Sequence, residues 1–432
     1  MPFEFINSVA KGGTSAIPYY SQIRQYGPYI AGLIAIKSYF GGASNSWERD
    51  MHGRVVILTG GTSGVGAAVA EDMARRGAQI IFLVRNVNDG WLIDFINDLR
   101  YRSNNHLLYA EEADLSDLHS IRKFATKWLD NSPPRRLDTV ICCAGTAPPP
   151  GTLRLATKSD IEQQFLINYL GHYHLLNLLS PALRVQPPDR DVRIILTGCL
   201  SHVLADLDLT DLEFSKRGYP VYKPWKSLGA AKLCLSMYAE QLQRQLVEYT
   251  RPDGSENNVK VVVADPGMMR SPSFKRFFSL GSVWGLLLYL LLWPIWWLFF
   301  KTSIQGAQTI LFAVYSAEVI QDRTGEAVFL AECKIKSKKS PRSEISDEGM
   351  RTKLVEVSDK YIEIAERKMA IQRNKLKAND DLEKKSGNPV NVKIEELREN
   401  ETENETENEG VKKSKSRRNR SKNHSKNAKL TL

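Results

Sequence analysis

Thr59-Gly60-Gly61-Thr62-Ser63-Gly64-Val65-Gly66 decides the fold of this 432-residue chain. The stretch follows the apolar run Val55–Thr59, which is continuous as a buried parallel strand requires, and it opens a helix. Glycines at these positions let the backbone approach a pyrophosphate, and the helix N-terminus offers free N–H groups and the positive end of its dipole. This turn between a strand and a helix predicts a dinucleotide-binding unit.

Short apolar runs alternate with helical patterns along the middle of the chain. The runs are Val55–Thr59, Gln79–Val84, Thr139–Cys143, Val192–Thr197 and Val259–Ala264, and Gly325–Ala331 is expected to be the last strand. Helical patterns such as Ser116–Leu129 and Lys232–Leu246 lie between them. The alternation predicts an α/β fold with a doubly wound parallel sheet (Rossmann), formed by a single domain over residues 51–335.

The two ends of the chain differ from this central domain. Residues 1–50 form an N-terminal extension with a short apolar run at 28–40, which fits either an interfacial anchor or an ordinary packed helix. Apolar residues at helical spacing predict a C-terminal helix over residues 345–378. Residues 379–432 are charged and of low complexity, so they are predicted to be a disordered tail.

Charge and cysteine content limit the kinds of partner. The net charge of +10 suits an anionic partner, either a membrane surface or a phosphorylated cofactor, and no recognised nucleic-acid motif is present. The five cysteines lack the spacing of disulfides or zinc sites, which indicates a reducing, cytosol-facing compartment. His172, His174 and His202 are not grouped with acidic residues, so no metal site is predicted.

Further motifs follow the glycine turn in a recognisable order. They are Asp114-Leu115, Cys142-Cys143-Ala144-Gly145, Asn168 within Ile167–His172, Lys232, Pro266-Gly267 and Gly306–Thr309. Together they resemble the short-chain dehydrogenases/reductases over about residues 50–333. The resemblance looks closest to the retinol-dehydrogenase-like, lipid-active branch and to membrane-associated fungal oxidoreductases. It implies a nicotinamide cofactor bound by these motifs and the glycine turn, with Asp114-Leu115 at the adenine.

The end of the second strand predicts which nicotinamide cofactor binds. Arg85-Asn86 follows this strand, where NAD-specific sites usually carry an acid that holds the ribose hydroxyls. An arginine suits a 2′-phosphate instead, so NADP is the predicted cofactor. An ordinary surface arginine at a strand end is the alternative.

The catalytic motif departs from the family that the chain resembles. The family carries a tyrosine four residues before its lysine, and Leu228 stands at this position before Lys232. A leucine cannot transfer a proton. The family's serine position is occupied by Cys199, whose thiol is a weaker hydrogen-bond donor than a hydroxyl.

A second Tyr-x-x-x-Lys match begins at Tyr222. Pro224 lies in the middle of this match, where it is expected to break the helical turn that would bring the two side chains together. The match is therefore interpreted as chance. Tyr219 or Tyr222 remains a candidate to substitute for the missing tyrosine from the substrate loop.

Residues 280–300 form an uncharged, strongly apolar stretch with four tryptophans. At ~1.5 Å per residue a straight helix of this length would reach roughly 31 Å, enough to cross a bilayer. The expected strands on either side must nevertheless join one sheet. The segment is therefore predicted to enter the membrane and return, or to lie in one leaflet, with a bend at Pro294.

Two functions fit these motifs. The first is a membrane-bound NADP(H)-binding oxidoreductase that interconverts a lipid carbonyl and alcohol, such as a sterol, retinoid-like or long-chain lipid. It would work at the endoplasmic reticulum or a lipid droplet, facing the cytosol, with Lys232 and Asn168 positioning cofactor and water and Cys199 polarising the carbonyl. The second, favoured by Leu228, is a catalytically impaired nucleotide-binding scaffold or subunit of a lipid-synthesis complex.

Overall fold

The computed structural model describes residues 19–322, 324–336 and 341–386. One eight-stranded sheet lies at its centre, in the order β3-β2-β1-β4-β5-β6-β7-β8. The strands are β1 Val55–Thr59, β2 Gln79–Val84, β3 Leu108–Glu112, β4 Thr139–Cys142, β5 Val192–Thr197, β6 Val259–Asp265, β7 Val328–Ala331 and β8 Lys334–Ile335. All neighbouring pairs are parallel except β7 and β8, which are antiparallel. The sheet is doubly wound, because the chain starts at its centre and builds outward in both directions.

Helices connect the strands and cover both faces of the sheet. They are α1 Tyr20–Gly41, α2 Gly64–Arg75, α3 Gly90–Ser103, α4 Leu118–Leu129, α5 Gln163–Phe165, α6 Gly171–Arg184, α7 Pro224–Glu248, α8 Pro272–Phe278, α9 Val283–Leu291, α10 Trp293–Phe299, α11 Ser303–Tyr315, α12 Glu318–Gln321 and α13 Glu348–Ser386. A π-helix, Leu166–Leu170, joins α5 to α6. Short 3-10 helices lie at Leu200–Leu204 and Ser343–Ile345.

Side chains that alternate along each strand divide the core into two layers. On β1, Val55 and Ile57 pack into the layer that contains α4, α6, α7 and the first turns of α13. Val56 and Leu58 pack instead against α2, α3 and α11. A parallel strand covered on both faces must be apolar throughout, which explains why the runs in the sequence are continuous.

The predicted fold class is confirmed, and three of the six predicted strands, β1, β2 and β5, have the expected bounds. β4 ends one residue earlier than predicted, at Cys142, and β6 ends one residue later, at Asp265. The last parallel strand begins at Val328 rather than at Gly325. The reason is that Gly325 adopts a φ of 74°, which belongs to a turn and not to a strand.

The apolar segment folds into short helices rather than one long helix. α8 and α9 meet at 108°, and Leu292 separates α9 from α10, two residues before Pro294. No single helix in the described ranges is long and apolar enough to cross a membrane, although α8 and α9 taken together pass the same test. The segment returns to its start: the Lys301 amide donates to the Met268 carbonyl at 3.1 Å, and the Arg270 amide donates to the Lys301 carbonyl at 2.9 Å.

The C-terminal helix is longer than predicted. α13 begins at Glu348 and continues to Ser386, so residues 379–386 of the predicted tail are helical. The rest of that tail, 387–432, lies outside the described residues. By its contacts the chain forms one large unit, Met1–Met369, and a second unit, Ala370–Leu432.

Candidate functional site

The glycine turn between β1 and α2 is shaped for a phosphate-bearing ligand. Gly60 has a φ of 65°, and a Cβ there would lie 2.7 Å from the backbone of Ala144, just past the end of β4. A Cβ at Gly66 would clash with the carbonyl oxygen of Gly60. Ser63, the N-cap of α2, makes no side-chain hydrogen bond to the helix, which leaves the first amides of α2 to a ligand. The turn therefore fits the pyrophosphate of a dinucleotide.

Thr59 ties the glycine turn to the neighbouring strand and to α6. Its hydroxyl accepts a hydrogen bond from the Ala144 amide at 3.1 Å and lies 3.0 Å from Nε2 of His172. Burial lowers the pKa of His172 to about 3, so the ring is neutral. The Thr59 carbonyl accepts the Cys143 amide at 3.3 Å. These bonds fix the end of β4 beside the turn.

Asn168 is buried in the π-helix Leu166–Leu170. Its side-chain oxygen accepts the amide of Thr146, and its side-chain nitrogen donates to the Thr146 carbonyl, both at 2.9 Å. A Cβ at Gly145 would lie 2.8 Å from the same side-chain oxygen. Asn168 thus holds the loop after β4 in place, and this use of a π-helix is typical of functional sites.

Tyr169 ties the same π-helix to the C-terminal helix. Its side chain is fully buried, and its hydroxyl lies 2.8 Å from the hydroxyl of Ser358 on α13. One turn later the Tyr173 hydroxyl donates to Asp359 at 2.7 Å. The first turns of α13 therefore support the segment that carries Asn168.

Lys232 is the buried cation of the site. Its Nζ donates a hydrogen bond to the carbonyl oxygen of Thr197, the last residue of β5, at 2.9 Å. Burial lowers the pKa of Lys232, and the nearby Cys199 and Cys143 act in the opposite direction. The Thr197 hydroxyl donates to Cys143 Sγ at 3.2 Å, and burial raises the pKa of this thiol to about 11. Lys232 therefore lies near the protonated thiol of Cys143 where β4 and β5 end.

Within the described part of the chain, no tyrosine hydroxyl forms a hydrogen bond with Lys232. Leu228 stands one helical turn before it and is half-buried. Tyr222 lies in the turn before α7 with 79% of its surface exposed. Pro224 is the first residue of α7, so no helical turn joins Tyr222 to Lys226, as the sequence predicts. Its position leaves Tyr222 outside the helix that carries the lysine and gives no support to a catalytic role.

Cys199 and Tyr219 lie in the connection between β5 and α7. The half-buried Cys199 accepts a hydrogen bond from the Ser201 hydroxyl at 3.2 Å, which leaves its S–H proton as a weak donor. The Tyr219 hydroxyl donates to Glu162 at 3.1 Å and accepts from Gln164 at 2.5 Å. Burial raises the pKa of Tyr219 to about 12. Tyr219 is thus committed to this polar cluster.

Arg85 lies beyond the carboxyl end of β2. Thr59 and Leu83 are register partners in the parallel pair β1–β2, so Arg85 follows just past the level at which the glycine turn begins. Its side chain is exposed. The position is compatible with a phosphate on the adenosine ribose of a dinucleotide that lies along this edge.

The other residues predicted at the adenine end support local turns. Asn86 accepts the amide of Asn88 at 2.9 Å. Asp114 accepts both the amide and the hydroxyl of Ser116, at 2.9 and 2.8 Å. Leu115 is buried, and a Cβ at Gly171 would lie 2.8 Å from the carbonyl oxygen of Leu115. The close packing of Leu115 on Gly171 anchors the end of β3 to the start of α6.

The loop after β6 connects the cofactor turn with the apolar helices. Gly267, next to Pro266, has a φ of 75° and donates its amide to Asp265 at 3.0 Å. Farther along, the ring of Pro272 lies 3.6 Å from where a Cβ of Gly64 would be. The start of α8 is thus a direct neighbour of the glycine turn.

The sheet, the glycine turn and the buried lysine and asparagine define a dinucleotide-binding oxidoreductase. Residues 54–199 match the short chain dehydrogenase family. The chain is 41% identical to an uncharacterized oxidoreductase of Schizosaccharomyces pombe, over 81% of this chain and 92% of the relative. It is 30% identical to human retinol dehydrogenase 13, over 71% of this chain and 86% of the relative. It is 31% identical to human polyprenol dehydrogenase, over 62% of this chain and 74% of the relative. The chain belongs to the short-chain dehydrogenase/reductase family, in its retinol-dehydrogenase-like branch.

Three residues of the site, Thr146, Thr197 and His172, were not predicted from the sequence. Thr146 contributes through main-chain atoms, and Lys232 is held by the main-chain carbonyl of Thr197. A main-chain group can belong to a residue with any side chain. His172 bonds to Thr59 across the fold. The helical spacing that puts His172 one turn after Asn168 was the one available signal for it.

Proposed function

We propose that this protein is a membrane-bound oxidoreductase that uses NADP(H) to interconvert a lipid-type carbonyl and its alcohol. The observation that carries this proposal is the continuity of the site. The site is formed where the central parallel strands end, by the glycine turn, Asn168 and Lys232. Pro272 lies beside the turn and begins α8, which leads into the exposed apolar helices α9 and α10. An apolar substrate could pass along this path without crossing water.

The substrate class has support from the relatives. By their names, two of them act on retinol and on a polyprenol, which are both apolar alcohols. The substrate proposed for this chain is of the same kind: a long-chain, sterol or isoprenoid carbonyl or alcohol held in a lipid phase. Its proposed location is the endoplasmic reticulum membrane or a lipid droplet, with the catalytic domain in the cytosol.

Arg85 supports NADP(H) over NAD(H). An exposed guanidinium beyond β2 can bind a 2′-phosphate with two parallel hydrogen bonds. An acidic residue there would instead bind the ribose hydroxyls and repel the phosphate.

The chain itself must exchange the proton, since a bound nicotinamide would supply or accept only the hydride at the carbonyl carbon. Leu228 has no proton to give. Burial lowers the pKa of Lys232, so its ammonium releases a proton more readily than a surface lysine does. In the reductive direction a proton from Nζ passes to the carbonyl oxygen, directly or through a water, and solvent reprotonates the amine. The Cys199 thiol polarises the same oxygen as a weak donor.

The missing tyrosine also favours a second function. A chain with an intact cofactor turn and Leu228 in place of the proton donor fits a dinucleotide-binding scaffold or subunit within a lipid-synthesis complex. Cofactor binding would then stabilise the fold without turnover.

Oxidation of NADPH by the full-length, detergent-purified protein distinguishes the two functions. The substrates are retinal, a polyprenal, a sterol ketone and a long-chain ketone. If the protein is an enzyme, it turns over, and Lys232→Met abolishes turnover while calorimetry still detects NADPH binding. Cys199→Ser preserves or raises turnover. Cys234→Ser, at a buried thiol on α7, is the control. NADPH binding without turnover on any of the four substrates supports the scaffold and rejects the enzyme.

A further inference from the structure

Two apolar elements far apart in the sequence lie against each other. The Lys37 Nζ on α1 donates to the main-chain oxygens of Trp297 at 2.6 Å and Phe300 at 3.3 Å, at the end of α10. The rings of Phe40 and Phe299 meet edge to face, with their centroids 5.0 Å apart. α1 and α10 are therefore parts of one surface.

Large apolar side chains on both elements are exposed. On α9 and α10 they include Val283, Trp284, Leu287, Leu288, Leu290, Leu291, Trp293, Ile295 and Trp297, and on α1 they include Tyr26, Tyr29, Ile30, Leu33, Ile34, Ile36 and Tyr39. Trp284 and Leu291, near the two ends of α9, are 82% and 77% exposed. A contiguous exposed apolar surface of this extent marks a site of interaction with a protein or a membrane.

The elements that form this surface carry charges of one sign. Residues 19–42 and 266–304 contain six lysines or arginines and no aspartate or glutamate, as the sequence shows directly. Arg24, Lys275 and Arg276 are exposed. Arg270 lies over the ring of Trp293, 4.9 Å from its centroid. Apolar side chains bordered by tryptophan, tyrosine and cations match the interface of a bilayer that contains anionic lipid.

The geometry allows entry into one leaflet and no crossing. The main-chain bonds that join Lys301 to Met268 and Arg270 hold the two ends of the segment together. α9 has nine residues, about 13.5 Å at the rise of an α-helix, against a hydrocarbon core of about 30 Å. At the other end of the surface, Glu332 binds both Lys301 and the amide of Ala43, which follows α1.

We propose that α1 and the α8–α10 segment form a single composite docking surface for one leaflet of an anionic lipid membrane. This inference deepens the membrane part of the proposed function, and it is independent of whether the protein turns over. Because Lys37 and Phe40 seat α1 on α10, the two elements bind as one anchor rather than as two separate ones. A lipid leaflet is favoured over a protein partner because the cations border the apolar side chains on both elements. Among the described contacts only one of these cations, Lys301, pairs with an acidic residue, which is Glu332.

Flotation of the full-length protein with vesicles tests the proposal. The vesicles are of phosphatidylcholine alone or with about 30% phosphatidylserine, the anionic lipid of a charged leaflet. Serine replaces Trp284 and Leu291 in one variant, and Leu33 and Ile34 in another. The control variant carries Tyr101→Ser and Leu153→Ser, at residues as exposed but outside the surface.

Either surface variant is expected to lose at least about tenfold in partitioning, since each removes several buried CH₂ groups from the leaflet. The control should match the unmodified protein. Lys37→Met should weaken binding more than Arg24→Met, because both lose one charge but only the first breaks the bonds to α10. Phosphatidylserine should strengthen binding at low salt.

Different failures have different meanings. If the unmodified protein floats with neither vesicle, the membrane part of the proposed function is wrong as well as the surface. If it floats but the α1 variant binds like the control, the composite surface is wrong and α8–α10 alone is the anchor. Binding that is equal on both vesicles overturns the anionic preference. A loss of self-association in the surface variants, measured by sedimentation, would assign the surface to a second copy of the chain.

Discussion

The Nζ of Lys232 and the main-chain oxygen of Thr197 are joined by a hydrogen bond of 2.9 Å, which fixes the lysine above the end of β5 without the help of a tyrosine. Leu228 lies one turn earlier on the same helix, and residues four apart share a face. A hydroxyl introduced at position 228 would thus stand beside the ammonium.

Leu228→Tyr should therefore raise turnover on lipid carbonyls by about 10²-fold, the usual contribution of a positioned proton donor. The measurement is the steady-state rate of NADPH oxidation. Leu228→Phe is the matched control, since it adds the ring without the hydroxyl, and it should give no gain. Equal rates for the two variants would show that position 228 does not face the reacting carbonyl.

Gly66→Ala should abolish dinucleotide binding, because the added Cβ would clash with the Gly60 carbonyl and open the turn. Calorimetric titration with NADPH measures the loss. Gly90→Ala is the control: it also lies at the first turn of a helix, and its Cβ would meet nothing within 4 Å. Retention of NADPH affinity by Gly66→Ala would mean that the cofactor binds elsewhere.

Arg85→Ala should lower the affinity for NADP(H) by about tenfold, or about 1.4 kcal/mol, and leave NAD(H) affinity unchanged. The physical reason is the loss of one guanidinium–phosphate contact. Arg367→Ala, at an exposed arginine on α13, serves as the control. Comparable affinity of the unmodified protein for the two cofactors contradicts the role given to Arg85.

Stability should fall in acid because His172 stays neutral inside the fold. Burial lowers its pKa from 6.5 to about 3, so between these values the unfolded chain binds a proton that the folded chain does not. The free energy of unfolding then decreases as the pH falls through this window, by up to about 1.4 kcal/mol per pH unit for this one group. Urea unfolding of His172→Gln at several pH values should show a shallower slope. An unchanged slope would show that His172 does not contribute to the acid sensitivity.

The buried pair Tyr169–Ser358 should behave as a coupled unit. Ser358→Ala leaves the Tyr169 hydroxyl buried without that partner, at a cost of about 1–3 kcal/mol in the free energy of unfolding. Adding Tyr169→Phe should recover much of this loss, since both polar groups are then gone. A double-mutant cycle by urea unfolding gives the coupling energy. Additive effects would mean that the hydroxyls do not interact.

Burial on both faces explains why the centre of the sheet was predictable. β1, β2 and β5 are mostly apolar, and their bounds follow from the sequence. β3, Leu-Tyr-Ala-Glu-Glu, gives no such signal, because it is an edge strand that pairs with β2 alone and needs few apolar residues. β8 has two residues, too few for any periodic pattern.

The site could be predicted where chemistry depends on residue type, and not where it depends on distant packing. The chemistry of the site requires particular residue types at the turn glycines, Asn168 and Lys232, so the sequence shows them directly. The contact of Lys37 with Trp297 joins residues 260 positions apart, and neither helix pattern reveals its partner. The hydrogen bond from Tyr169 to Ser358 is of the same kind.

The position of β7 also constrains how the protein is made. β7 pairs with β6, Val262 beside Val328, although the whole apolar segment separates them in the chain. During translation α8–α10 leave the ribosome before β7 exists, and the edge of β6 stays unpaired until it does. A translocation machinery that threaded these helices through a bilayer would leave β7 on the far side. For the membrane contact proposed above, the fold thus requires that the apolar helices reach the bilayer from the side on which the chain is synthesised.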